Sequence, residues 1–151
     1  PDSDPEAEIR RYSDLLAKSP IDLVCLGIGV NGHIAFNEPG DTDFNTSALV
    51  RTVSLTHASR QQQVDEGLFD SLDDVPTHAL TLTVPAMVAG RSLVCTVLGP
   101  AKAEAVAASL SGPIDEAVPA SALLGHPNAT VYLDSAAAEH LPDHIHTAVQ
   151  N

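Results

Sequence analysis

Basic residues, aromatic residues and cysteines are all scarce in this sequence of 151 residues. Seven Lys and Arg stand against twenty Asp and Glu, which gives a formal net charge of -13. A field of this sign repels nucleic acid and anionic membrane surfaces, so the sequence predicts neither as a partner. An anionic ligand must therefore be held by local contacts.

Long hydrophobic runs and a basic leader are also missing. No run reaches the roughly 18 consecutive apolar residues of a membrane span, and the start PDSDPEAE is acidic where a signal peptide is basic and then apolar. The two cysteines, Cys25 and Cys95, lie inside apolar runs, where a thiol usually packs as a small hydrophobic side chain. We therefore expect a cytoplasmic protein whose thiols pack in apolar surroundings.

What the chain does contain is aliphatic: 44% of the residues are hydrophobic and only 3% are aromatic. This composition predicts one globular domain over residues 1–151. The hydrophobic periodicity predicts, in order, a helix over 4–18, strands over 21–29 and near 48–55, a helix over 57–69, a turn-rich connection over 71–78, a strand over 78–84, a short helix or turn over 85–90, a strand over 91–99, a helix over 100–112, a short helix over 118–126, a strand over 128–134 and a closing helix over 135–144.

The apolar run IDLVCLGIG is typical of a strand buried on both faces of a sheet, and RSLVCTVLG predicts a second buried strand. Strands that alternate with helices predict an α/β fold in which a mostly parallel sheet is flanked by helices. Such a sheet binds its ligand past the carboxyl ends of its strands, usually with loops from both halves. The first buried strand already carries the most polar loop, so either the domain is compact or a preceding half is missing.

That loop reads LGIGVNGHIAFNEPG over residues 26–40. One interpretation is structural, with glycines for a tight turn, polar caps and a packed histidine. A dinucleotide fingerprint is a weak second interpretation, because Gly27, Gly29 and Gly32 lead into a loop that ends in Pro39 and not directly into a helix. The third is acid/base chemistry, since a histidine titrates near neutrality and a carboxylate on one ring nitrogen fixes its tautomer.

The string GIGVNGHIAFNEPG closely resembles the signature of the glucosamine-6-phosphate deaminase family, which shares its fold with the 6-phosphogluconolactonases. The resemblance continues through RTVSLTHASR, VPTHALTLTV, LVCTVLGPAKAEAV and VPASALLGHPNATVYLD, so it covers residues 5–140. The lactonases typically follow the histidine with a Ser-Leu-Phe type of sequence, whereas IAFNEPG here is similar to the deaminases. The resemblance implies a modified Rossmann-like fold of which this chain matches the carboxy-terminal part, with the amino-terminal portion absent.

The resemblance also implies roles for the loop residues. His33 resembles the acid/base of sugar ring opening, Glu38 its partner, and Asn31 a residue that helps to hold the histidine; Gly29 and Gly32 belong to the substrate-binding loop. The implied substrate is a small amino sugar phosphate, glucosamine 6-phosphate, which loses its C2 amine as ammonia to leave fructose 6-phosphate. The implied enzyme requires no metal or organic cofactor.

Lys102, in VLGPAK, matches a phosphate-binding lysine of the family. Its position has an independent physical basis, because it lies in the first turn of a predicted helix, where free backbone N–H groups and the helix dipole attract an anion. The alternative is an ordinary solvated helix lysine. The histidines at 140, 144 and 146 are interpreted as surface residues and not as a metal site.

Two departures from the family keep other functions open. The aspartate that abstracts the C2 proton in the family would precede residue 1, and acidic residues, Asp65 and Glu66, stand where a phosphate-binding arginine is expected. Either Arg60 substitutes for that arginine or the substrate differs. The alternatives are a 6-phosphogluconolactonase-like hydrolase or an isomerase of another sugar phosphate, and a non-catalytic sugar-phosphate-binding module; association into a homo-oligomer is left open.

Overall fold

The structure is a computed structural model, and it describes residues 4–143 and 145. Helices and strands alternate along most of these residues. Their bounds are α1 (Pro5–Leu16), β1 (Leu23–Leu26), β2 (Val50–Ser54), α2 (His57–Asp65), β3 (His78–Leu82), α3 (Val84–Val88), β4 (Ser92–Val97), α4 (Ala103–Ser111) and β5 (Ala129–Leu133), with short 3-10 helices over Leu72–Asp74, Pro100–Lys102 and Pro119–Gly125.

The main sheet is parallel and has the strand order β1-β4-β5. One of its faces packs on the core, to which β4 contributes the buried side chains of Leu93, Cys95 and Val97. Burial raises the pKa of the Cys95 thiol to about 12. The α/β prediction is therefore confirmed, with one addition: β2 and β3 form a separate antiparallel pair.

The opposite face of the main sheet corrects two expectations. Leu23 is 52% exposed, Cys25 is exposed and Tyr132 is 59% exposed. The prediction that β1 is buried on both faces is therefore wrong, and so is the packed environment expected for Cys25. Alternate residues of a strand point to opposite faces of the sheet. Val24 and Leu26 of β1 pack against the core, whereas the side chains of Leu23 and Cys25 point to the other face and are exposed.

Side-chain caps explain where α1 and α2 begin, and a glycine explains where α2 ends. Asp4 accepts from the N–H of Glu6 at the start of α1, as Thr56 accepts from Ser59 at the start of α2. Gly67 has a φ of 74° and follows α2, while Leu68 N–H donates to the carbonyl of Gln63 over 2.9 Å. This left-handed glycine stops α2 four residues before the predicted end at 69.

The closing helix predicted over 135–144 is wrong for the described residues. Residues 135–140 form successive turns, and residue 144 lies outside the described part. The Ala138 N–H donates to the carbonyl of Asp134 and the Leu141 N–H to that of Ala138, so the spacing alternates between four and three residues. The side chain of Asp134 also accepts from the N–H groups of Gly99 and Ala137, which ties the segment to the end of β4.

The described residues hold no helix with the length and apolar content needed to cross a membrane.

Candidate active site

The loop over residues 27–41 follows β1 and folds back on itself through backbone hydrogen bonds. Gly29 N–H donates to the His33 carbonyl over 2.9 Å, and Gly32 N–H donates to the Gly29 carbonyl over 3.0 Å. Gly32 has a φ of 85°, and a Cβ there would come within 2.9 Å of a Val118 methyl group. Gly32 is therefore needed for the turn, and its carbonyl accepts from the Ala120 N–H across the chain.

Gly29 is required for a different reason, which is the close approach of the His33 ring. A Cβ at position 29 would overlap the imidazole atoms Cε1, Nδ1 and Nε2. The imidazole therefore lies directly over the Gly29 backbone, where only glycine leaves room for it.

Asn31 bridges His33 and Glu38. The Asn31 amide nitrogen donates to Glu38 Oε2 over 2.6 Å, and Asn31 Oδ1 lies 2.8 Å from His33 Nδ1 and 3.2 Å from the His33 N–H. Glu38 Oε1 is 3.6 Å from the same ring nitrogen. An ionised carboxylate only accepts, so the Asn31 amide must turn its oxygen to the ring, and neutral His33 carries its proton on Nδ1. Nε2 is then the ring nitrogen that can accept a proton.

Ser59 holds the carboxylate of Glu38 from the other side. Its hydroxyl donates to Glu38 Oε1 over 2.5 Å, and the Thr56 hydroxyl donates to Ser59 Oγ over 3.0 Å. Sequence analysis missed Ser59. The helix-capping pair Thr56 and Ser59 is visible in the sequence, whereas its contact with a residue 21 positions away depends on tertiary structure.

Burial is the largest influence on His33, and it lowers the pKa of the imidazole below its ordinary value of 6.5. The charge of Glu38 raises this pKa, that of Lys102 lowers it and that of Glu66 raises it, in decreasing order. Only 16% of the His33 side chain and 12% of the Glu38 side chain are exposed. The arrangement therefore keeps the imidazole neutral, and able to act as a base, at neutral pH.

A cavity of about 330 Å³ opens beside the imidazole. Three of the predicted site residues line it: Gly29, His33 and Lys102. Gln62 from α2 also lines it and was not anticipated. The complete lining consists of Gly27, Ile28, Gly29, His33, Ala35, Gln62, Thr96, Val97, Leu98 and Lys102.

Lys102 ends the short 3-10 helix and directly precedes α4. It thus stands at a helix start that adjoins the cavity, as the sequence predicts. The Asn31 and Glu38 side chains contact the imidazole at Nδ1 and are not among the residues that line the cavity.

Arg60 lies elsewhere. Its guanidinium donates to the carbonyls of Val75 and Leu72, and it is not among the residues that line the cavity. The structure thus assigns its side chain to the connection before β3. Its predicted contact with the substrate stays a prediction.

A metal site has no support from the described part of the chain, where no three His, Cys, Asp or Glu side chains cluster. His140 is exposed, and residues 144 and 146 lie outside the described range.

Residues 1–132 match a model of the family described as glucosamine-6-phosphate isomerases/6-phosphogluconolactonase. Over 136 residues the chain is 41% identical to the glucosamine-6-phosphate deaminase of Listeria monocytogenes serotype 4a, covering 90% of this chain and 56% of that protein. It is 44% identical over 135 residues to the glucosamine-6-phosphate deaminase of Bacillus thuringiensis, covering 89% and 50%.

A solved monomeric glucosamine-6-phosphate deaminase superposes with a TM-score of 0.84 at 40% identity, covering 92% of this chain and 56% of that one. The 6-phosphogluconolactonase of Trypanosoma brucei superposes with a TM-score of 0.69 at 20% identity, over 94% of this chain and 56% of that one, which shows a shared fold. The chain spans about half the length of the curated relatives it matches. It belongs to the glucosamine-6-phosphate isomerase/6-phosphogluconolactonase family.

Proposed function

We propose that this chain carries the ring-opening part of an active site that converts glucosamine 6-phosphate to fructose 6-phosphate and ammonia. The observation that carries the proposal is the Asn31 bridge between His33 and Glu38, set beside a cavity that Lys102 also lines. Relatives named glucosamine-6-phosphate deaminase, at 41% and 44% identity, support the same activity.

The proposed first step is opening of the pyranose ring. The neutral imidazole of His33 accepts the proton of the anomeric hydroxyl at Nε2, and the same proton passes to the ring oxygen as the bond from C1 to that oxygen breaks. The transient imidazolium is stabilised by the Asn31 oxygen on Nδ1 and by the charge of Glu38. A free aldehyde at C1 results.

The phosphate group of the substrate is assigned to Lys102. The lysine charge lies at the start of α4, where the helix dipole also favours an anion. Because the chain has a net charge of -13, this local cluster of positive potential is what would bring a dianion to the cavity.

The later steps, proton abstraction at C2 and loss of ammonia, need a base besides His33. Within residues 4–143 and 145, no carboxylate lines the cavity. This observation favours a second candidate, a 6-phosphogluconolactonase-like hydrolysis, because activating one water molecule beside a bound phosphate requires one base only.

Ammonia release from glucosamine 6-phosphate by the complete enzyme tests the first candidate, and acid release from 6-phosphogluconolactone tests the second. We expect ammonia release, and we expect His33→Ala to lower it by roughly a hundredfold or more, the usual contribution of a general base. His57→Ala is the matched control, since His57 is exposed at the start of α2. Undiminished ammonia release by a folded His33→Ala variant would remove His33 from this role.

A further inference from the structure

Asp134 lies directly after β5 and holds the turn that follows β4. Its carboxylate accepts from the Gly99 N–H over 3.1 Å at Oδ1 and 3.0 Å at Oδ2, and Oδ1 also accepts from the Ala137 N–H over 2.7 Å. β4 and β5 are parallel neighbours, so their carboxyl ends lie side by side. One side chain therefore joins the ends of both strands.

The turn that Asp134 holds forms part of the cavity wall. The end of β4 and the turn after it supply four of the residues that line the cavity, namely Thr96, Val97, Leu98 and Lys102. Neither Gly99 nor Asp134 lines it. The Lys102 N–H donates to the Gly99 carbonyl over 3.2 Å, so the hydrogen bonds run from Asp134 through Gly99 to the lysine.

Gly99 depends on a partner outside the turn for its conformation. It has a φ of 90° and a ψ of 156°, which is a backbone conformation that favours glycine. Glycine also adopts many other conformations, so this residue alone does not fix the path of the chain. The charge-assisted hydrogen bonds from its N–H to Asp134 favour this one conformation.

We propose that Asp134 is a positioning residue for phosphate binding, which holds the turn over residues 98–102 in the conformation that places Lys102 at the phosphate group of the substrate. The proposal rests on the proposed function, in which Lys102 binds that group. Asp134 acts through the turn and not by contact with the substrate, because it does not line the cavity and both of its carboxylate oxygens accept from backbone N–H groups.

The charge of Asp134 and its hydrogen bonds have opposite effects on anion binding, so substitutions can separate them. A carboxylate that acts only through its charge repels a phosphate group, and its removal strengthens binding. A carboxylate that positions the lysine favours binding, and its removal weakens it. Asp134→Ala removes the charge and both acceptors, whereas Asp134→Asn removes the charge and keeps one acceptor oxygen.

The test is calorimetric binding of inorganic phosphate and of glucosamine 6-phosphate to the complete enzyme, with every variant made in the His33→Ala background so that no sugar is consumed. We expect Asp134→Ala to weaken the binding of both ligands by about tenfold, as loss of a hydrogen bond to a charged group predicts, and Asp134→Asn to recover most of that loss. Asp43→Ala is the matched control and should leave binding unchanged. Asp43 Oδ1 also accepts a backbone N–H, that of Asn45 over 2.7 Å, but it is exposed in another loop.

Gly99→Ala tests the same turn from the other partner of the hydrogen bond. A Cβ at position 99 would meet no atom of the described residues within 4 Å, so the substitution disfavours only the backbone conformation. We expect it to weaken phosphate binding as well. The double variant with Asp134→Ala should bind about as well as the weaker of the two single variants, because both act on one turn.

Unchanged or tighter phosphate binding by a folded Asp134→Ala variant would overturn the proposal, and so would an equal loss in Asp43→Ala or additive losses in the double variant. If Asp134→Ala does not fold, Gly99→Ala decides, and unchanged binding in that variant would overturn the proposal.

Failure of the proposed function has a different signature. The enzyme with His33 intact would then release no ammonia, while Asp134→Ala still weakened the binding of inorganic phosphate. If ammonia is released, Asp134→Ala should raise the KM for glucosamine 6-phosphate about tenfold and keep kcat within a few fold. A merely structural role would lower kcat as well, and that result would contradict the positioning role.

Discussion

Two amide–carboxylate pairs lie near the imidazole of His33, and they belong to different parts of the fold. Asn31 and Glu38 belong to the loop after β1, their hydrogen bond is 2.6 Å long, and Ser59 from α2 holds the carboxylate from behind. Gln62 and Glu66 have a bond of the same length, but they belong to one turn at the end of α2, and Glu66 is exposed.

Burial and support make the difference between the pairs. A hydrogen bond to a buried charge acts in a low dielectric, and removing one partner leaves the other buried and unsatisfied, which costs the desolvation free energy of that group. An exposed pair four residues apart on a helix contributes only a few tenths of a kcal/mol to stability. The loop pair is therefore suited to hold the imidazole rigidly, and the helix pair acts on it only through the charge of Glu66. Substitutions should separate these two roles.

The largest effect is expected for Glu38→Gln. A neutral glutamine can donate to the Asn31 oxygen, which turns the Asn31 amide around and removes the acceptor from His33 Nδ1, and the imidazolium also loses its neighbouring charge. We expect kcat to fall by roughly a hundredfold or more, as for loss of a general base, while Glu66→Gln keeps kcat within a few fold. Steady-state ammonia release measures kcat for both variants. Equal losses of kcat in the two variants would contradict the difference expected between the two pairs.

An intermediate effect is expected for Ser59→Ala. The variant removes the hydroxyl that donates to Glu38 Oε1, and a hydrogen bond to a charged group contributes about 1.5–3 kcal/mol. We expect kcat to fall about tenfold with an unchanged KM, because Ser59 does not line the cavity. Ser13→Ala, on α1, is the control. A rise in KM without a fall in kcat would contradict this positioning role.

The smallest effects are shifts in the titration of His33, followed by NMR of its ring protons. We expect a pKa below 6.5, with a further decrease in Glu66→Gln and an increase in Lys102→Met, since these charges act in opposite directions. Activity that needs the neutral ring should fall as the pH drops through the lowered pKa. The unfolded chain binds more protons between this value and 6.5, so the folded state also loses stability as pH falls through that window.

A wild-type pKa above 6.5 would mean that the carboxylates, and not burial, dominate the site. Shifts in the same direction for both variants would contradict the opposed charges.

The sequence predicts the site best where its residues are close in the chain. Asn31, His33 and Glu38 fall within eight positions, and the structure joins them by direct contacts. Ser59 and Gln62 could not be found this way, because the contact of Ser59 with Glu38 and the place of Gln62 at the cavity depend on how α2 packs against the loop. Nothing in the local sequence of either residue distinguishes it from an ordinary polar helix residue.

The fold follows a similar rule. β4 and α4 are predicted by local signals: a continuous apolar run that ends in glycine for the strand, and a proline near the start and a glycine after the end for the helix. β1 and the segment 135–140 were not fully predicted, because their apolar and alanine-rich sequences fit more than one environment. The exposure of Leu23 and the turns after Asp134 depend on which neighbours pack or hydrogen-bond there.

The position of the imidazole over Gly29 has a consequence for how relatives of this chain should be compared. A sequence that retained the histidine, the asparagine and the glutamate but carried alanine at position 29 would match on every proton-carrying residue. One added methyl group would nevertheless occupy the space of the ring. In this loop, a comparison of the reactive side chains identifies a site of the same geometry only if glycine at position 29 is also required.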